Sequence, residues 1–140
     1  MWKEFLIGLT PDHPYVKPNA PASIEHVQEV EIKLQVILPD DIKELLLEFN
    51  GDNYFILSTQ EILENNLSLR GYEEFENIDH YLLVASNGCG DYYGYEITED
   101  GIKDESIYRW DHEESDVNCN FIKVANNLKE LIELYYIGKL

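Results

Sequence analysis

Cysteine, basic side chains and long apolar runs are all scarce in this sequence of 140 residues. The two cysteines, Cys89 and Cys119, form no Cys-x-x-Cys pair, which argues against a thiolate zinc site and a disulfide framework. No apolar run approaches the ~20 residues that cross a bilayer. The first nine residues lack the basic start, apolar stretch and cleavage site of a signal peptide. We therefore expect a cytoplasmic protein.

The shortage of basic side chains leaves a strongly acidic chain. Ten basic side chains stand against 28 acidic ones, and the formal net charge is −18. Residues 57–120 carry most of it, with 16 acidic and three basic side chains. Such a surface repels nucleic acid and anionic membranes, so we expect neither as a partner. A basic protein or a bound cation is favoured, although an acidic surface can also serve solubility alone.

Helices are predicted in the first half of the chain and at its end. A stretch with four prolines, residues 11–21, is predicted to be extended. Ser23, the Ser58–Glu61 capping box and Asn127 are typical of helix N-termini, and Asn50-Gly51 is typical of a C-terminus. Helical spacing of apolar residues and these end signals predict helices over residues 2–9, 24–35, 39–49, 59–66 and 128–135.

Strands are predicted mainly between residues 81 and 110. The apolar and aromatic runs fall at residues 54–57, 81–85, 92–97 and 107–110. Turns at Asn87–Asp91 and Asp100-Gly101 join the last three as hairpins. Alternation along the strand places Tyr93 and Tyr95 on one face and Tyr92 on the other. Helices, hairpin strands and a final helix predict an α+β fold with a mostly antiparallel sheet.

Residue patterns for catalysis or cofactor binding are weak. The Gly88-Cys89-Gly90 turn lacks the Lys-Ser/Thr of a phosphate loop, and no basic neighbour activates Cys89. Residues 111–116 offer carboxylates and one imidazole, but not the ligand spacing of an EF-hand. We expect no enzyme, no cofactor and no dedicated metal site, with a small enzyme or metal-dependent protein as a remaining alternative.

A partner-binding surface is predicted at the hairpin turn and the acidic segments. Rigid aromatic side chains anchor protein partners, and charges steer them, whereas core packing is the alternative for any single tyrosine. The candidates are Asn87, Asp91 and Tyr92 of the turn, Asp111, His112, Glu113, Glu114 and Asp116 of the following acidic segment, and Glu73, Glu74 and Glu76.

A set of sequence motifs extends over about residues 22–135. It consists of Ile24, Glu31 and three longer segments, which follow one another in a characteristic order and spacing. The segments are Leu38–Leu46 running into Phe49-Asn50-Gly51, Val84–Tyr95 with its Asn-Gly-x-Gly-Asp turn, and Ala125–Ile132. In these segments the chain resembles the SUKH superfamily of Smi/Knr-like proteins. Ile42 departs from the pattern, since relatives often carry an aromatic residue there, and this affects packing.

The resemblance implies a single domain over residues 1–140, with helices packed against a curved sheet and residues 1–21 as a helical and proline-rich extension. Bacterial members of the superfamily are mostly immunity proteins that neutralise a toxin, often a nuclease or deaminase. Fungal members are regulatory scaffolds. We therefore expect an immunity protein whose partner is a basic toxin domain. A regulatory scaffold or protein-interaction module is the alternative.

Overall fold

Helices and an antiparallel sheet build the fold in a computed structural model that describes residues 1–75, 77–111 and 121–140. The helices are α1 (Trp2–Leu9), α2 (Ile24–Leu34), α3 (Asp40–Glu48), α4 (Thr59–Arg70) and α5 (Leu128–Tyr136). The strands are β1 (Tyr81–Ser86), β2 (Asp91–Thr98), β3 (Gly101–Ile102), β4 (Ile107–Asp111) and β5 (Phe121–Ala125), and a 3-10 turn covers Ile78–His80. The predicted α+β class, with helices at both ends of the chain, is confirmed.

The sheet is antiparallel in the order β1-β2-β4-β5, and β3 pairs with the end of β2. Gly94 of β2 pairs with Leu83 of β1, next to a shift in the strand register between Leu83 and Ala85. A Cβ at this position would lie 2.1 Å from the carbonyl oxygen of Leu82. Only glycine fits this close approach of two backbones, which explains the glycine inside an aromatic strand.

The two faces of the sheet bury different sets of side chains. Tyr93 and Tyr95 lie in the main core with the apolar faces of the helices, as the alternation predicted. Tyr92 packs on the opposite face against a smaller cluster of Ile78, Leu83 and Trp110. The sheet therefore buries apolar side chains on both of its faces.

Helix ends follow the predicted signals closely. The side-chain oxygen of Ser58 accepts the backbone N–H of Glu61, and the carboxylate of Glu61 accepts the N–H of Ser58. Asn127 caps α5 by accepting the N–H of Glu130 at 2.8 Å. Each cap satisfies N–H groups that have no partner inside the helix.

Four details differ from the predictions. Residues 54–57 form a single bridge from Ile56 to Ala85 rather than a strand, because the side chain of Asp52 accepts three of their backbone N–H groups. Helix α4 continues four residues beyond Asn66. The side-chain amide of Asn66 donates hydrogen bonds to a backbone carbonyl of α4 and to one of β1. Strands β3 and β5 were not predicted. Ile24, an apolar residue in the helical spacing that predicts the helix over residues 24–35, is 55% exposed rather than part of the core.

The N-terminal segment packs onto the rest of the fold. Trp2 and Leu6 of α1 are buried in the main core. The carboxylate of Glu48 accepts the backbone N–H groups of Trp2 and Lys3, at 3.1 and 3.2 Å. These bonds cap α1 from α3, so the start of the chain is held by the same core as the sheet.

Candidate functional site

The turn between β1 and β2 is organised by Asn87. Its side-chain oxygen accepts the backbone N–H groups of Cys89 and Asp91, and its amide donates to the carboxylate of Asp91 at 3.0 Å. Gly88 and Gly90 adopt φ of 77° and 100°, which side-chain-bearing residues rarely do. The sequence Asn-Gly-x-Gly-Asp therefore encodes a fixed turn that holds Asp91 in place.

Asp91 lies directly opposite Asp111 in the pairing of β2 with β4. Both side chains are partly exposed. The pairing therefore brings two acidic residues, 20 positions apart in the chain, to the same end of the sheet. We call the Asn87–Asp91 turn together with Asp111 the acidic edge. The structure thus brings together three of the predicted site residues from two separate segments.

Tyr92 is adjacent to the acidic edge but faces the smaller cluster. It lies opposite Trp110, its ring centroid is 6.1 Å from that of Trp110, and its hydroxyl donates to the side-chain oxygen of Asn65 at 3.2 Å. Burial raises the pKa of the Tyr92 hydroxyl above its ordinary value. Tyr92 is half-buried and already hydrogen-bonded.

The other predicted acidic residues are placed only in part. Glu73 and Glu74 are exposed in the turn after α4. The ring of Phe75, which follows them, meets Trp110 edge to face at 4.9 Å, so this turn covers the face of the sheet that carries Tyr92. The remaining predicted site residues lie outside the described residues: Glu76, His112, Glu113, Glu114 and Asp116.

Two tyrosines that were not predicted as site residues flank the turn. Tyr54 is 44% exposed and lines a cavity of about 230 Å³ together with Ser86 and Gly88. Tyr135 stacks on Phe55 with 3.8 Å between ring centroids. Burial, followed by nearby Tyr54 and other groups including Cys89, raises the pKa of Tyr135 to about 12. They come from distant parts of the chain, so no local pattern indicated that they meet.

A buried carboxylate positions the loop that carries Tyr54. Asp52 is fully buried, and one of its oxygens accepts the backbone N–H groups of Tyr54, Phe55 and Ile56 at 2.7–3.0 Å. Its other oxygen accepts the hydroxyl of Tyr136 at 2.5 Å. Burial and the nearby carboxylate of Asp52 raise the pKa of Tyr136 well above its ordinary value. Asp52 thus fixes the tyrosine side of the candidate surface.

The described residues offer little to a metal or to a nucleophilic mechanism. Within residues 1–75, 77–111 and 121–140, no group of three or more His, Cys, Asp and Glu side chains could hold a metal ion. Cys89 is exposed at the tip of the turn with a free thiol. In the same ranges, no helix has both the length and the apolar character that a membrane span requires. The described residues of the candidate site form a charged and aromatic surface.

Comparison with known families gives one match. The family model described as SMI1 / KNR4 family (SUKH-1) matches residues 21–134. No curated protein matches the sequence. The matched range begins before α2 and ends within α5, and it contains the whole of the acidic edge.

Proposed function

Since the chain belongs to the SMI1 / KNR4 family (SUKH-1), we propose that it is an immunity protein that binds and neutralises a cognate bacterial toxin. Family membership supports a protein-interaction module of the immunity or Smi/Knr type. We propose that the protein works in the cytoplasm, without catalysis, and on a basic toxin domain such as a nuclease. Its net charge of −18 favours such a partner over nucleic acid or an anionic membrane.

The facing pair of Asp91 and Asp111 is the observation that carries this proposal. The pairing brings two partly exposed acidic residues from separate segments to one end of the sheet, where a basic partner would meet them together. A nuclease attracts phosphate with a basic surface, so clustered carboxylates can cover that surface by resembling the charge of its substrate. The acidic segment after Asp111, and Glu73, Glu74 and Glu76, would add to the negative charge that attracts the partner.

Tyr54 and Tyr135 would supply the anchoring part of the contact. Both have rings fixed by neighbours, since Tyr135 stacks on Phe55 and Tyr54 follows the Asp52 turn. Fixed aromatic rings lose little conformational entropy on binding, and their faces attract guanidinium and ammonium groups. In this proposal, charge accelerates the encounter and the tyrosines slow dissociation. Asn87 and Asp91 would form the rim, whereas Tyr92 would support it from the buried side.

We also propose that residues 1–140 act as one domain, with residues 1–21 as an extension that stabilises it. The burial of Trp2 and Leu6 in the main core supports this organisation. The extension would then affect partner binding through the stability of the fold.

Affinity capture followed by a growth assay tests the proposed function. The protein is immobilised, exposed to a lysate of its source organism and washed at low and then high salt. We expect recovery of a basic toxin domain that salt releases and that stops growth when it is expressed alone. Coexpression of the wild-type protein should restore growth. Recovery of a constant set of ordinary cytoplasmic proteins, with no toxic member, would instead favour the regulatory scaffold.

A further inference from the structure

A second surface lies at the other end of β2 from the acidic edge. A groove of about 660 Å³ separates the end of α2 and the segment after it from the turn between β2 and β3. Asp91 begins β2 and Thr98 ends it, so the strand separates the two surfaces by about 20 Å. The groove is therefore independent of the proposed toxin-binding surface.

Isoleucine side chains stand out from the lip of this groove. Ile32 and Ile37 are each 75% exposed, whereas the neighbouring Val36 and Leu38 are buried. Ile102 of β3 lines the opposite wall and is partly buried. Exposed apolar side chains that gather at one groove, rather than being scattered singly, indicate a contact surface.

The exposure of Ile37 is fixed by the backbone around it. Gln35 ends α2 with φ of 54°, a left-handed conformation that costs about 1 kcal/mol in a residue other than glycine. The carboxylate of Glu31 then accepts the N–H of Leu38 at 2.9 Å, and its carbonyl accepts the N–H of Val36 at 3.1 Å. These bonds hold the segment extended, so alternate side chains turn inward and Ile37 remains outside.

The charge around the groove selects the partner. Among the described residues that line it, three are acidic and none is basic. Asp40 and Asp100 are exposed at opposite sides, and Glu31 lies between them, partly buried. A second copy of this chain would bring another net charge of −18 against the same carboxylates. We infer that the groove docks a segment of another protein that inserts an apolar side chain flanked by lysine or arginine.

Selection from displayed random peptides of twelve residues tests this inference. The library is selected on the wild-type protein and counter-selected on the Ile32→Ser/Ile37→Ser variant. We expect enriched peptides that combine an aliphatic or aromatic residue with at least two basic ones. A synthetic copy of an enriched peptide should bind the double variant at least tenfold more weakly than the wild type. Asp40→Asn/Asp100→Asn should weaken binding about threefold and reduce its salt dependence.

A matched variant separates the groove from general surface hydrophobicity. Ile7→Ser/Ile137→Ser removes two isoleucines that are exposed elsewhere, 57% and 48%, and should leave peptide binding unchanged. Asp91→Asn should also leave it unchanged, so a failed toxin assay and a failed groove assay remain distinguishable.

Three results would overturn the inference. The first is a selection that enriches no peptide dependent on Ile32 and Ile37. The second is the enrichment of acidic or purely polar sequences. The third is self-association of the wild-type protein in sedimentation that Ile32→Ser/Ile37→Ser abolishes, because the groove would then be an interface between copies of the chain.

Discussion

Aspartates in two regions of this protein have opposite surroundings. Asp52 is fully buried, and three backbone N–H groups and the hydroxyl of Tyr136 donate to it. Asp91 is partly exposed, accepts from Asn87 and faces the carboxylate of Asp111. The first carboxylate is enclosed by donors, whereas the second has one side-chain donor and remains partly exposed to solvent.

These different surroundings distinguish carboxylates that stabilise the fold from carboxylates that remain available to a partner. A buried charge is tolerated only when donors compensate its desolvation, so Asp52 is tied to the structure of its loop. Asp91 is partly exposed at the end of a turn, so its carboxylate remains accessible to a partner. Net charge alone does not reveal this division, because both kinds of aspartate count equally in the total of 28 acidic residues.

The largest effect is expected from Asp52→Ala. This change leaves the N–H groups of Phe55 and Ile56 and the hydroxyl of Tyr136 without their acceptor, and each such loss costs about 1–3 kcal/mol. We expect the free energy of unfolding to fall by about 3 kcal/mol or more, measured by urea denaturation. Asp52→Asn, which keeps one oxygen as an acceptor, should cost clearly less. If the free energy of unfolding fell by the same small amount in both variants, the proposed role of Asp52 in stabilising its loop would be wrong.

A smaller effect, which depends on pH, is expected from Tyr136→Phe. The pKa of Tyr136 is raised in the folded protein, mainly by burial and then by Asp52. Its neutral form therefore stabilises the fold fully below the unfolded pKa of about 10, and this contribution is lost as the pH rises above it. At pH 7, loss of the hydrogen bond should cost about 1–2 kcal/mol.

Denaturation between pH 7 and 11 measures the second part of this prediction. The wild-type protein should lose stability above pH 10, and Tyr136→Phe should lose it less steeply. Some slope should remain, because burial also raises the pKa of Tyr95 and Tyr135. Identical slopes for both proteins would show that Tyr136 does not contribute to the alkaline loss.

The smallest effect on stability is expected from Asp91→Asn. The amide retains an oxygen that can accept from Asn87, and it removes one of the two facing charges. We expect the free energy of unfolding to stay the same or rise by up to about 0.5 kcal/mol. A loss above 1 kcal/mol in urea denaturation would place Asp91 with Asp52, among the carboxylates that build the fold.

Local patterns in the sequence predicted most of the elements, and the errors have physical reasons. Helix caps at Ser23, Ser58 and Asn127 act through neighbouring residues, so the sequence displays them directly. The interval 54–57 has the composition of a strand, but the side chain of Asp52 takes the N–H groups that a strand would need. Strand β5 is short, and its sequence Phe-Ile-Lys-Val-Ala does not alternate strictly between apolar and polar residues, so no strand pattern indicates it.

The sequence predicted only those parts of the candidate site that are formed by residues close together in the chain. The Asn87–Asp91 turn follows from its asparagine and glycines. The pairing of Asp91 with Asp111 depends on the register of β2 and β4, which residue patterns constrain only through burial. The meeting of Tyr54 and Tyr135 beside the turn depends on how α5 packs against the sheet. Tertiary structure was needed to find both.

The most direct test measures how fast the captured toxin domain associates with variants of this protein at several salt concentrations. One variant changes Asp111, Glu113, Glu114 and Asp116 to Ser. Its control changes Glu4, Asp12, Glu25 and Glu44 to Ser, which gives the same net charge at another surface. We predict slower association and weaker salt dependence for the first variant, and rates near those of the wild type for the control. Equal rates for both variants would contradict steering of the toxin by Asp111 and the acidic residues that follow it.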